Sequence, residues 1–160
     1  MQSFLQKKSV LVSKPFSKKN GFTLLELLLS VALISLLAGI AAPMYLSLQS
    51  ENEVAIAATT VADILRRGQI HAQAVDGDSD WGVEMVSSTI TVFKGNNFAS
   101  RDQNLDENYK LSATVKLSGL NEVIFNKFSG WTAASGTVMI IHQDGRQKNV
   151  SINELGIVGL

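Results

Sequence analysis

The chain has 160 residues, enough for one modest globular domain plus a helix, and its lack of cysteine excludes thiol catalysis, thiolate metal sites and disulfide staples. Its formal charge is zero but divided: residues 1–21 hold Lys7, Lys8, Lys14, Lys18 and Lys19 and no acid, while the rest sets nine Lys/Arg against all fourteen Asp/Glu. That acidic body argues against a general nucleic-acid footprint, which needs a basic face.

From Phe22 to Ala42 the chain is almost continuously apolar for 21 residues, with Glu26 its single charged member. As a helix this stretch is about 30 Å long, the thickness of a bilayer's hydrocarbon core. A carboxylate near one end of it costs several kcal/mol unless something pairs with it. The basic flank predicts a cytoplasmic N-terminus, with the C-terminal part on the outer side of the membrane. Val54, Ala57, Val61, Ile64, Gly68, His71 and Val75 then recur at three- and four-residue spacing, the stripe of an amphipathic helix. One helix is therefore expected from about Phe22 to Ala74, apolar all round in its first half and one-sided in its second. Gly39 and Pro43 interrupt it, and proline's missing donor and ring clash predict a kink or local melting there.

Asp76-Gly77-Asp78-Ser79-Asp80 supplies turn chemistry to end the helix, and beyond it the period changes from 3.6 to 2. Trp81–Val86 and Thr89–Lys94 read as a hairpin joined at Ser87-Ser88, and residues 95–108 as a polar loop. Leu111–Leu117 alternates cleanly, Glu122–Phe128, Gly136–His142 and Gln147–Asn153 follow, and Leu155–Val158 closes the series. Asp144-Gly145 is a strong turn signal between two of these strands. Helix first and about six or seven antiparallel strands after it make an α+β protein, with the amphipathic stripe laid on the sheet because neither can bury its apolar face alone.

Lys18-Lys19-Asn20-Gly21-Phe22-Thr23-Leu24-Leu25-Glu26 and the apolar run after it resemble the signal of prepilins, the precursors of type IV pilins and type II secretion pseudopilins. The register of glycine, aromatic residue, carboxylate and apolar run carries the resemblance, and Pro43 falls where many pilins also have proline. It implies a ladle-shaped fold, cleavage after Gly21 by a prepilin peptidase, and N-methylation of the new terminal residue, Phe22. It further implies that Glu26 meets the Phe22 amine of a neighbouring subunit during assembly on an inner-membrane platform. The lipid bilayer before assembly and other pilin-like subunits after it are then the partners. The expected division is a cleaved leader at 1–21, a membrane and filament-core helix at 22–42, its amphipathic continuation at 43–75 and a β-domain at 76–160. Val123-Ile124-Phe125, Ser129-Gly130, Gly136-Thr137-Val138 and Val150-Ser151-Ile152 with Gly156 are similar to the H-type pseudopilin and FimT-like branch, which implies a minor pilin or H-type pseudopilin.

Other candidates weigh less. Asp76, Asp78 and Asp80 have the D-x-D-x-D spacing of a calcium loop, but Ser87 stands where an EF-hand needs its bidentate glutamate; a solvated turn is the better reading, and no metal or cofactor is expected. His71 and His142 lie far apart without a matching acid-and-nucleophile pattern, so structural roles are favoured. Arg66, Arg67, Arg101, Lys110, Lys116, Arg146 and Lys148 are interspersed with acids, which disfavours a DNA-binding patch. An exposed Trp81–Trp131 pair would suit an adhesin. No nucleophile elbow, phosphate loop or metalloprotease motif occurs, and no enzymatic activity is expected. The competing readings are a tip subunit binding DNA or a surface through residues 95–108 and 129–135, and an anchored envelope domain that never polymerises.

Overall fold

The structure is a computed structural model and describes residues 21–160; the lysine-rich leader, residues 1–20, lies outside them. One helix, α1 (Leu24–Gln73), opens the described chain and is helical through Gly39 and Pro43. Contacts divide the chain after Ile40, and Ala41–Leu160 forms a compact unit with its own core.

In that unit the amphipathic stripe does what its spacing predicts. Val54, Ala57, Val61, Ile64 and Gly68 are buried, and Ala58, Ala62, Leu65 and Ala72 widen the face. Against it packs the expected antiparallel β-domain, its strands arranged as two four-stranded sheets. One contains β1 (Trp81–Val86), β2 (Thr89–Lys94), β3 (Glu107–Lys110) and β5 (Glu122–Phe125) in the order β3-β2-β1-β5. The other contains β4 (Val115–Gly119), β6 (Gly136–His142), β7 (Gln147–Ile152) and β8 (Val158–Gly159) in the order β4-β6-β7-β8. Inward residues of both sheets, among them Val83, Ile90, Val123, Phe125, Val138, Ile140 and Val150, share one core with the helix. Gly68 lets helix and sheet approach closely: a Cβ there would stand 2.7 Å from Val83 Cγ2 and 3.3 Å from Phe125 Cε2.

The departures have local causes. β4 begins at Val115, not Leu111, because Ser112 and Thr114 pair their hydroxyls at 2.7 Å and Val115 N donates to Ser112 O in a turn. β3 emerges inside the stretch expected to be a polar loop: Glu107 bonds Arg67 of α1, while Tyr109 packs on the core. β8 starts three residues late because the Asn153 side chain accepts from Leu155 N and Ile157 N, and Gly156 turns the chain at φ 77°. The rest of the 95–106 loop covers the outer face of the first sheet, where Phe98 packs edge-on against Phe93 and Arg101 lies over the Phe98 ring.

Candidate assembly site

The site begins where α1 begins. Thr23 caps the helix, its Oγ1 accepting from Glu26 N at 3.2 Å, which satisfies one of the amide donors a helix start leaves open. Thr23-x-x-Glu26 is a capping-box sequence, a signal that concentration on the carboxylate alone overlooks. The Glu26 side chain is exposed and shows no side-chain hydrogen bond or ion pair among the described residues. It sits in the first turn, where the helix's positive end favours an anion.

Around it the surface is apolar. Phe22 is 80% exposed, and Leu24, Leu25, Leu27, Leu28, Leu29, Val31, Leu33 and Ile34 are all exposed as well. The hydroxyls within the run are satisfied internally, Ser30 donating to Glu26 O at 2.7 Å and Ser35 to Val31 O at 2.8 Å. An apolar helix with its hydroxyls bonded back to its own carbonyls is suited to an environment without water. α1 is long and apolar enough to cross a membrane. Nothing lies within 4 Å of a Cβ built on Gly21 or Gly39.

The remaining candidates resolve into separate structural contacts. Asp76 Oδ2 lies 3.0 Å from His71 Nδ1, Asp78 binds Lys127 Nζ at 2.9 Å, and Asp80 accepts from Lys127 N at 2.7 Å. The Lys127 ammonium holds the Asp78 carboxyl below its ordinary range. Trp81 is buried, stacked on His71 with ring centroids 4.3 Å apart, and its Nε1 donates to Asp76 O; only Trp131 of the two tryptophans is exposed. His142 is buried between Asp144 and Glu53. Arg66, Arg67, Arg101 and Arg146 each pair with a carboxylate, on Asp63, Glu107, Asp106 and Asp144 respectively. Arg67 is the strongest cause of the depressed Glu107 carboxyl. One group had no sequence signal: Glu84 on β1 stands across from Glu122 on β5, and its Oε2 is buried without a hydrogen-bond partner. Only strand register puts these two acids side by side.

Comparison with known proteins agrees with this geometry. Residues 16–42 match the family model described as the prokaryotic N-terminal methylation motif. Two fimbrial proteins of Pseudomonas aeruginosa are each 31% identical over 110 residues, spanning 63% of this chain and 71% of theirs. Among solved structures the fold is similar to the minor pseudopilin EpsH from the Type 2 Secretion System of Vibrio cholerae, with a TM-score of 0.51 at 18% identity over 68% of this chain and 95% of that one. A long N-terminal helix packed on antiparallel sheets, an exposed apolar helix start with one carboxylate, and this sequence likeness place the chain in the type IV pilin and pseudopilin family of structural subunits that assemble with other pilin subunits.

Proposed function

We propose that this protein is a minor pilin or H-type pseudopilin whose precursor is cut between Gly21 and Phe22 by a prepilin peptidase and methylated on Phe22. The leader stays in the cytoplasm, residues 22–42 cross the membrane, residues 43–75 continue the helix, and residues 76–160 form the β-domain on the outer side. An inner-membrane assembly platform then draws the subunit into a type IV pilus or a type II secretion pseudopilus. Gly39 and Pro43 supply the bend or local unwinding that the passage from lipid to filament requires.

The observation that carries this reading is Glu26: in the first turn of an exposed, apolar helix start, it is a carboxylate without a side-chain partner among the described residues. Cleavage would create an α-amino group on Phe22, largely cationic at neutral pH. Docking Glu26 beside that ammonium on a neighbouring subunit removes the cost of an isolated charge in an apolar setting. The apolar side chains then serve twice, in lipid before assembly and against other helices after it.

The test is a pair of variants expressed with a prepilin peptidase and an assembly system. Gly21→Leu should abolish the loss of 21 residues and the Phe22 methyl group, both read by mass spectrometry, and should remove the subunit from filaments. Glu26→Gln should be processed normally yet incorporate at least about tenfold less, as loss of a charged partner predicts. Unchanged processing of the Gly21 variant would overturn the cleavage site, and normal filaments from the Glu26 variant would overturn the assembly contact. A protein processed correctly and never found in filaments would be a membrane-anchored envelope domain instead. The arginines, each paired with a carboxylate, give the DNA-capturing alternative no support.

A further inference from the structure

The turn between β6 and β7 reaches back to α1. The Arg146 guanidinium donates to the carbonyl of Ser47 and, at 2.6 Å, to its hydroxyl. Asp144 lies 2.7 Å from His142 Nδ1 and accepts from Arg146 N at 3.1 Å. These contacts, the His142 ring first, hold the Asp144 carboxyl down at about 2. On its other side, His142 Nε2 lies 3.5 Å from Glu53 Oε2, the oxygen that also accepts from the Thr114 hydroxyl at 2.5 Å. The helix residues engaged, Ser47 and Glu53, lie within two turns of each other on α1.

That stretch has little else to hold it. No side chain from Met44 to Glu53 is fully buried, and the core begins at Val54. Met44, Tyr45, Leu46 and Leu48 all remain more than half exposed. Hydrophobic burial, which fastens the helix beyond Val54, is absent here. Among the described residues, the hydrogen bonds joining this stretch to the sheets come from Arg146 and Thr114, beside the His142 ring.

We propose that the β6–β7 turn, with His142 and Thr114, is a polar strap that alone fastens residues 44–53 of α1 to the β-domain, so that opening it frees this segment as a hinge while the helix from Val54 onward stays packed. Partly exposed charged contacts suit such a device, because each is individually weak and is screened by salt. The inference concerns the Ala41–Leu160 unit alone and does not depend on cleavage or on assembly into a filament.

Amide hydrogen exchange of the full chain in detergent micelles tests it. Arg146→Ala and Asp144→Asn should each speed exchange of residues 47–53 by about tenfold, the effect of losing one charge-assisted hydrogen bond. Protection of residues 57–72 should hold in both. Arg146→Lys, which keeps the charge without the two-point donation, should fall between wild type and Arg146→Ala. Unchanged exchange at 47–53 in both variants would overturn the strap. So would an equal loss of protection across 57–72, which would make the turn a support of the whole core.

Discussion

Leu33 and Leu65 lie on the same helix, yet Leu33 is 55% exposed and Leu65 is 0% exposed. The contrast holds for whole stretches. Every described side chain from Phe22 to Ala41 faces outward, whereas the stripe from Val54 to Ala72 is sealed against two sheets. The second stretch satisfies its apolar surface within its own chain. Among the described residues the first has no such partner, a surface suited to lipid or to other subunits. The same residue types thus fill consecutive parts of one helix, and burial alone separates them.

The largest effects should break along this line. Leu65→Ala removes a fully buried side chain and should destabilise the domain by about 3 kcal/mol, read as a lowered melting midpoint of the full chain in detergent. Leu33→Ala should change that midpoint by less than about 0.5 kcal/mol while reducing incorporation into filaments. Equal melting shifts for the two leucines would mean that the apolar stretch packs on its own domain, and the comparison would fail.

How much of this was legible in the sequence follows the same division. The apolar run and Glu26 are local features that hydropathy and charge reveal directly, and the Gly21-Phe22 junction is legible through the resemblance to the prepilin signal. The bounds of β1, β2 and β6 also agree with expectation residue for residue. Where strands were misplaced, side chains overrode the alternation. Ser112 and Thr114 form a turn inside an apparently regular strand, and Asn153 caps one that was expected to begin at Leu155. The split into two sheets, the Arg146–Ser47 contact across 99 residues and the Glu84–Glu122 neighbours all depend on long-range register, which no local pattern carries.

A smaller effect sharpens the comparison at the start of the helix. Thr23→Ala removes the cap on Glu26 N and should weaken the first turn by about 1 kcal/mol. Faster amide exchange at residues 24–28, with the domain's melting unchanged, is the expected result. A lowered melting midpoint would show that the helix start and the domain are energetically joined.

The smallest effect concerns two carboxylates, Glu26 on α1 and Glu84 on β1, that show no side-chain partner among the described residues. Glu26 is exposed, whereas Glu84 has a buried Oε2 with no hydrogen bond. Burial first, and then the neighbouring Glu122, push the Glu84 carboxyl above its ordinary value, against a smaller opposing pull from Arg101. Because the folded state then binds its proton more tightly than the unfolded state, this residue opposes folding at neutral pH. The penalty fades as pH falls through the raised value and is gone below about 4.5, where both states are protonated. Glu84→Gln should therefore raise the midpoint at pH 7 by about 2 °C, with the gain shrinking steadily towards pH 4. Glu26→Gln, on an exposed side chain away from the domain core, should leave the midpoint at pH 7 unchanged. If the two glutamines behaved alike, the isolated carboxylate of the apolar helix would be a matter of folding rather than of assembly, and the division drawn between the two halves of α1 would not stand.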